Sequence, residues 1–354
     1  MTGPGPPAPR RPYWLLVVFA LLMLSPVGWS VRGLVAAVIG VTTVRAVRYA
    51  VGSAARTAPS RTDEAASVLG DDRAGGKVLI GDRELSAHGL ILGASGAGKS
   101  TTLLRILTDR VLSGRPVVAI DMKGSPAFAR ELGRAAAGAG RPFRLWAPDG
   151  PSHWNPLAHG NATELKDKLI ATERFTEPHY QRAAERYVQS ALQVLHAACP
   201  ERGITLDEVV RLMDPQRMPS MLWSLNGPLV DRVQDYLSGL TPDQLSAIRG
   251  LGTRLAIITE SHTGRYLSPP TGPSDATDGR MIDLREALAG PDVVLFSLNS
   301  NTYGKLAAQI GTLVVQDLVS VVGHRLAAGA PGIAGRSSRR LSASTSSRRW
   351  AAIT

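Results

Sequence analysis

The spacing of apolar residues divides the chain into four parts. Residues 13–52 are almost continuously apolar, whereas residues 75–163 combine short apolar runs of strand length with stretches of helical spacing. Between residues 164 and 264 the strand-like runs disappear, and apolar residues recur three and four positions apart between Pro and Gly breaks. Residues 265–330 restore a strand followed by a long amphipathic helix. The pattern predicts an α/β domain that is interrupted by an all-α insertion.

The apolar N-terminal part has room for two short membrane spans that turn near residues 25–28. Arginines precede the first span and follow the second, so the positive-inside rule places both ends, including residues 1–12, in the cytoplasm. A single span is the alternative. A cleaved signal peptide is disfavoured, because no small-x-small site follows the apolar run. Residues 53–74 are predicted to be a polar linker.

The positive charge of the chain lies at its two ends. The formal net charge is +11, but residues 1–61 contain seven arginines and residues 332–354 contain five, with no acid in either segment. The residues between them are close to neutral, so the basic balance is weak evidence for nucleic-acid binding. Cys199 is the only cysteine, which excludes an intramolecular disulfide and fits a reducing cytoplasm.

One short stretch carries the clearest chemical signal. The run HGLILG, predicted to be a strand, precedes it, and residues of helical spacing follow it. The stretch fits the phosphate-loop pattern G-x-x-x-x-G-K-[ST] and consists of Gly93, Ala94, Ser95, Gly96, Ala97, Gly98, Lys99, Ser100 and Thr101. Backbone N–H groups of such a loop bind phosphate, Lys99 reaches the β- and γ-phosphates, and the Ser100 hydroxyl binds Mg²⁺. The sequence predicts a nucleotide site.

Polar residues follow two further strands. Asp121 and Lys123 come directly after the apolar run at 117–120, and Asn299 follows the strand at 292–298. Functional groups of α/β sheets lie at such carboxyl ends, and an ordinary transition from strand to turn is the equal alternative for Asp121. The sequence WNPL at 154–157 fits either a motif or ordinary packing.

The order of these features resembles the type IV coupling proteins of conjugation and secretion, TraG/TraD-like members of the FtsK/HerA group of pumping ATPases. The resemblance rests on the phosphate loop, the D-x-K-G strand end, W-N-P-L, the helical insertion and the strand and helix that begin at residue 293. It covers roughly residues 10–327. It implies N-terminal transmembrane segments and a RecA-like P-loop NTPase domain, formed by residues 75–163 and 265–330, with the insertion at 164–264.

The same resemblance implies a function. It implies a homo-hexameric ATPase of the bacterial inner membrane, with its main domain in the cytoplasm, that uses ATP and Mg²⁺. Its partners would be DNA or the relaxosome and the proteins of a type IV secretion channel. By position, Lys99 and Ser100 would bind nucleotide, Asp121 and Lys123 match the second strand end, and Asn299 would sense the γ-phosphate. The alternatives are an FtsK-like DNA translocase, against which W-N-P-L and the insertion argue, and a membrane protein that binds ATP without hydrolysing it.

The tail departs from the family pattern. The resemblance implies a later strand ending in Asp-Glu, the Walker B pair, but an arginine- and serine-rich sequence without acids follows the last helix. Residues 331–354 are therefore expected to be a disordered, non-native tail on a domain that is incomplete at its C-terminal end, and hydrolysis of ATP by this chain is in doubt. A natural disordered tail is the alternative.

A shifted reading frame would explain the tail. In the displaced frame, the codons of residues 343–351 are able to encode an apolar residue followed by Asp-Glu-Phe-Ser-Ala-Leu-Gly, and the Trp350–Ala351 step forces the final glycine. We expect that the frame was lost between about residues 329 and 337. Sequencing of the gene tests this: the expected result is a D-E-F strand in the displaced frame of codons 343–351, and any other reading refutes the hypothesis.

Overall fold

The computed structural model describes residues 66–85, 88–270, 281–329 and 351–353. These described residues form one compact unit. The predicted membrane hairpin at 13–52 lies outside the described residues, as does most of the predicted tail at 331–354.

Strands and helices alternate in the first and last parts of this unit, and helices alone occupy its middle. The strands are β1 (Ser67–Asp71), β2 (Lys77–Ile80), β3 (Val117–Asp121), β4 (Phe143–Trp146), β5 (His153–Trp154), β6 (Met281–Ile282), β7 (Val293–Ser297) and β8 (Ala351–Ile353). The helices before the middle part are α1 (Asp82–Leu85), α2 (Lys99–Leu112) and α3 (Pro126–Gly138). The middle helices are α4 (Ala162–Ile170), α5 (Pro178–Ala198), α6 (Leu206–Leu212), α7 (Met218–Leu222), α8 (Pro228–Ser238) and α9 (Pro242–Thr259). A 3₁₀ turn (Gly264–Leu267), α10 (Leu284–Ala289) and α11 (Ser300–Ala327) follow.

The central sheet is parallel and has the strand order β4-β7-β3-β8. Alternate residues of β3 and β7 enter two different cores, as the two-residue period of a strand requires. Val117 and Val293 pack with α2 and α3 on one face, whereas Val118 and Val294 pack with α11 and the middle helices on the other. Both faces are covered, which is why these strands are continuously apolar in sequence. The α/β class predicted from the sequence is confirmed.

The predicted linker at 53–74 requires a correction, because β1 lies within it and pairs antiparallel with β2. The Asp72 carboxylate closes the turn between the two strands by accepting hydrogen bonds from the N–H groups of Ala74 and Gly76 at 2.8 Å each. Gly75 adopts a positive φ of 81°, which few other residues tolerate. The signal for this hairpin was present in the sequence as a Gly-containing turn between two short apolar runs.

Two further expectations about strands are wrong. The run HGLILG forms no regular strand, and Leu90 and Leu92 are each 81% exposed. A strand needs a pairing partner, and within the described residues the two sides of β3 are taken by β7 and β8. In the tail, Ala351–Ile353 form β8 rather than irregular chain, because their backbone pairs in parallel with Val117–Ala119.

A buried arginine holds together the edge of the sheet at which its strands begin. The Arg141 guanidinium donates to the carbonyl oxygens of Val111 (2.6 Å), Pro291 (2.6 Å) and Arg115. The Val111 carbonyl lies at the end of α2, the Pro291 carbonyl lies just before β7, and the Arg115 carbonyl lies just before β3. Arg141 thereby satisfies backbone acceptors that the end of a helix leaves without intrahelical partners.

Capping residues set the starts of three middle helices. Asn161 with Glu164, Thr205 with Glu208, and Thr241 with Gln244 form reciprocal capping boxes at α4, α6 and α9. The capping box predicted at Thr205 is confirmed. The core of these helices is continuous with that of α11 and the sheet, so the helical segment packs as part of the same compact unit.

A buried ion pair joins the W-N-P-L loop, α4 and α11. Lys168 and Asp317 are 2% and 6% exposed in their side chains, and Lys168 Nζ lies 2.8 Å from Asp317 Oδ1. Trp154 Nε1 donates to Asp317 Oδ2 at 3.1 Å, and Lys168 also donates to the carbonyl oxygens of Pro156 and His159. Burial raises the pKa of Asp317 above its ordinary value, although the Lys168 charge acts in the opposite direction.

One helix among the described residues, α11, is long and apolar enough to cross a membrane. Half of its apolar window is buried inside the protein, and the helix covers one face of the sheet. These are the properties of a core helix.

Replacement of Lys168 by Met is expected to lower the free energy of unfolding at pH 7 by about 3–5 kcal/mol, because it leaves a buried carboxylate without its cation. A native-state pKa of Asp317 above the unfolded value makes stability fall as the pH rises between the two values. The loss should therefore be smaller at pH 5 than at pH 7, as measured by denaturant unfolding.

The matched control is the variant Lys166→Met on the same helix. Lys166 pairs with Asp167, which is largely exposed, so this variant should change the free energy of unfolding by less than about 1 kcal/mol. The double variant Lys168→Met with Asp317→Leu should recover part of the loss. Equal losses in the two single variants, or a loss independent of pH, would contradict a specific role of the buried pair.

Candidate functional site

The phosphate loop leads directly into α2, as the sequence predicts. Gly96 and Gly98 have φ values of 80° and 82°, a left-handed conformation that glycine adopts without steric cost. The Thr102 N–H donates to the Gly98 carbonyl oxygen at 2.9 Å, which closes the first turn of the helix. No side chain caps this end of α2, and its first turn contains no acidic residue. The positive end of the helix is thus left open toward an anion.

The Lys99 side chain folds back over its own loop. Its ammonium group donates to the carbonyl oxygens of Gly93 at 2.8 Å and Ala94 at 2.7 Å. Ala97 N–H donates to Ala94 O at 3.2 Å, so the loop is a closed turn around this lysine. Ser95, Ser100 and Thr101 are exposed. The lysine is held by exchangeable hydrogen bonds and is able to turn toward phosphate.

Asp121 organises the turn after β3. Its carboxylate accepts hydrogen bonds from the N–H groups of Lys123 at 3.0 Å and Ser125 at 2.6 Å. Ser125 in turn caps α3 by accepting from the Phe128 N–H. The Lys123 side chain is exposed. The D-x-K-G-S sequence therefore has a local structural role: it ends β3 and begins α3 with only four residues between them.

Asn299 lies against this turn because β3 and β7 are parallel neighbours. It has φ 51° and ψ 61°, a conformation that is uncommon for non-glycine residues. The Ser300 N–H donates to the Met122 carbonyl oxygen at 2.7 Å. Gly124 has a φ of 66°, and a Cβ there would lie 2.7 Å from the Asn299 Cβ. The structure thus brings Asp121, Lys123 and Asn299 together at the carboxyl edge of the sheet.

Three side chains beside Asn299 were not found from the sequence. His262 Nε2 lies 3.0 Å from Asp149 Oδ1 and 3.2 Å from Tyr303 Oη. The Tyr303 N–H donates to the Asn299 carbonyl oxygen at 3.0 Å, which places this cluster one helical turn from the strand end. The three residues come from separate loops and a helix, and no motif in the sequence connects them.

The residues present fit a nucleotide with Mg²⁺. The open helix end, the left-handed glycines and Lys99 form a cradle for polyphosphate. Ser100 offers a hydroxyl at the position from which phosphate loops bind Mg²⁺. The described residues contain no cluster of three His, Cys, Asp or Glu side chains that would hold a metal ion by itself, so Mg²⁺ would be bound together with phosphate oxygens.

Gly124→Ala is expected to destabilise the protein by about 2–4 kcal/mol, because a Cβ at this positive φ is strained and collides with Asn299. Gly250→Ala is the matched control. Gly250 lies inside α9 with open space around it, and the change should stabilise the protein by about 0.5–1 kcal/mol. Thermal unfolding of both variants measures the difference, and similar unfolding of the two would rule out the proposed contact.

The solved structures that match this chain include the following two. VirB4 of Thermoanaerobacter pseudethanolicus matches with a TM-score of 0.45 and 16% identity, over 76% of this chain and 66% of that chain. The unbound monoclinic form of the bacterial conjugative coupling protein TrwBdeltaN70 matches with a TM-score of 0.45 and 13% identity, over 73% of this chain and 56% of that chain. No protein-family description and no curated protein sequence matches the chain. The chain thus spans just under two thirds of VirB4 and just over half of TrwBdeltaN70.

Proposed function

We propose that this chain is a membrane-anchored ATP-binding motor of the conjugative coupling-protein type. The observation that carries the proposal is the phosphate loop at 93–101, with Lys99 poised over it and an open helix end behind it. The D-x-K-G turn, W-N-P-L and the helical insertion support the coupling-protein type through the sequence resemblance. In this role the motor would drive DNA, or a protein–DNA complex, toward a type IV secretion channel.

The nucleotide site would work by positioning charge. Loop N–H groups and the N-terminus of α2 would bind the phosphates, and Lys99 would exchange the carbonyls of Gly93 and Ala94 for phosphate oxygens. The Ser100 hydroxyl would bind Mg²⁺, which supplies charge neutralisation at the β- and γ-phosphates. Asp121 and Lys123 would border the site, and Asn299 would respond to the γ-phosphate from a fixed backbone.

The cellular setting is part of the proposal. Residues 13–52 would anchor the chain in the bacterial inner membrane, with residues 75–330 in the cytoplasm. The assembled motor would be a homo-hexamer that contacts the relaxosome and the secretion channel. An FtsK-like translocase and an ATP-binding protein without hydrolysis are the competing functions. The W-N-P-L sequence and the helical insertion argue against the translocase, and binding of ATP without DNA-stimulated turnover would support the protein without hydrolysis.

Lys99→Ala is expected to weaken ATP binding by about 10- to 100-fold, because a hydrogen bond to a charged group contributes about 1.5–3 kcal/mol. Titration of the purified full chain with Mg-ATP in a calorimeter measures the affinity. Lys166→Ala is the control, since Lys166 lies on α4 and pairs with Asp167. Unchanged affinity in Lys99→Ala would refute the site.

A further inference from the structure

A cavity of about 380 Å³ adjoins the phosphate loop. Its two walls are β1 and the first two turns of α2, and its lining residues are Val68, Leu69, Gly70, Thr101, Thr102 and Arg105. The volume lies within the range of small-ligand pockets, about 300–1,000 Å³. Thr101 belongs both to the phosphate loop and to this wall, so the cavity begins where the loop ends.

The position of the cavity follows from helix geometry. Arg105 comes six residues after Lys99 on α2, which is about 9 Å along the helix axis. A molecule whose phosphates lie at the N-terminus of α2 therefore has its remaining part within reach of Thr101, Thr102 and Arg105. The β1 wall closes the other side of this path.

The β1 wall contains an irregularity in its pairing with β2. The ladder between β1 and β2 pairs Val68 with Leu79 and Gly70 with Val78, so the register skips Leu69. Such a bulge leaves one residue outside the ladder, and bulges are frequent beside functional sites. The backbone N–H and C=O of Leu69 are a donor and an acceptor side by side, which suits the edge of a heterocyclic base. The Val68 and Leu69 side chains add apolar surface.

The α2 wall offers a flat cation. The Arg105 side chain is 54% exposed, and its Nε lies 3.3 Å from Asp109 Oδ2, one turn further along the helix. Arg105 lines the cavity with a side chain that is still half-exposed in this ion pair, so its planar guanidinium is able to stack on an aromatic ring. The hydroxyls of Thr101 and Thr102 supply groups that hydrogen-bond a sugar.

We propose that the β1 bulge and the first two turns of α2 form the nucleoside subsite of this protein, with Arg105 stacking on the base and Leu69 contacting its edge. This inference rests on the proposed function, because the phosphates of the same nucleotide occupy the phosphate loop. In this subsite Arg105 would favour the binding of a nucleotide over that of a polyphosphate without a base.

The test separates the base from the phosphates. The full chain is titrated with Mg-ATP and with Mg-tripolyphosphate, which has the phosphates without the nucleoside. Arg105→Ala is expected to weaken ATP binding by about 5- to 20-fold and tripolyphosphate binding by less than about twofold, since stacking on a cation contributes to the base alone. Arg105→Lys, which keeps the charge but not the planar group, should fall between wild type and Arg105→Ala for ATP.

Arg134→Ala controls for the loss of one positive charge, since Arg134 is an exposed residue on the neighbouring helix α3. It should leave both affinities unchanged. Equal weakening of ATP and tripolyphosphate in Arg105→Ala, or no weakening of either, would overturn the nucleoside subsite while the phosphate site stands. Absence of binding of both ligands to the wild-type chain would instead refute the proposed function.

Discussion

The buried pair of Lys168 and Asp317 is the interaction on which the packing of the middle helices against the sheet and α11 depends. Removing two charges from water costs several kcal/mol for each ion, and the mutual attraction repays this only with good geometry and additional hydrogen bonds. Here the additional bonds come from Trp154 and from the backbone carbonyls of Pro156 and His159. Only one relative position of α4, the W-N-P-L loop and α11 makes all of these bonds. Any other position would leave a buried charge without its partner.

This interaction explains why the W-N-P-L sequence stands where it does. Trp154 is 1% exposed and packs edge-on against Phe296 of β7, with ring centroids 5.1 Å apart. Its indole N–H, which needs a partner when buried, finds Asp317. Asn155 donates to the Ile204 carbonyl oxygen at 2.9 Å and so fixes the entry to α6. The sequence allowed either a motif or ordinary packing here, and these contacts are structural ones that connect the sheet with the helices.

The sequence predicted well what depends on local periodicity and missed what depends on pairing between distant segments. The α/β class, the helical middle and the capping box at Thr205 follow from residue spacing alone. The run HGLILG has the composition of a strand, but a strand also needs neighbours, and these are not encoded in the run itself. The cluster of His262, Asp149 and Tyr303 was likewise invisible, because it forms only when three separate segments meet at the end of the sheet.

Asp121, at the end of β3, shows how one side chain is able to have both a structural and a functional role. Both oxygens of the Asp121 carboxylate accept backbone N–H groups, which accounts for the D-x-K-G-S turn without any ligand. Each carboxylate oxygen nevertheless has two lone pairs, so each has one further acceptor position. The same bonds hold the carboxylate in one orientation, and a fixed orientation is what a group beside a bound metal or phosphate requires. The turn that folds the edge of the sheet is thus also the means by which Asp121 and Asn299 are held in place for the proposed nucleotide.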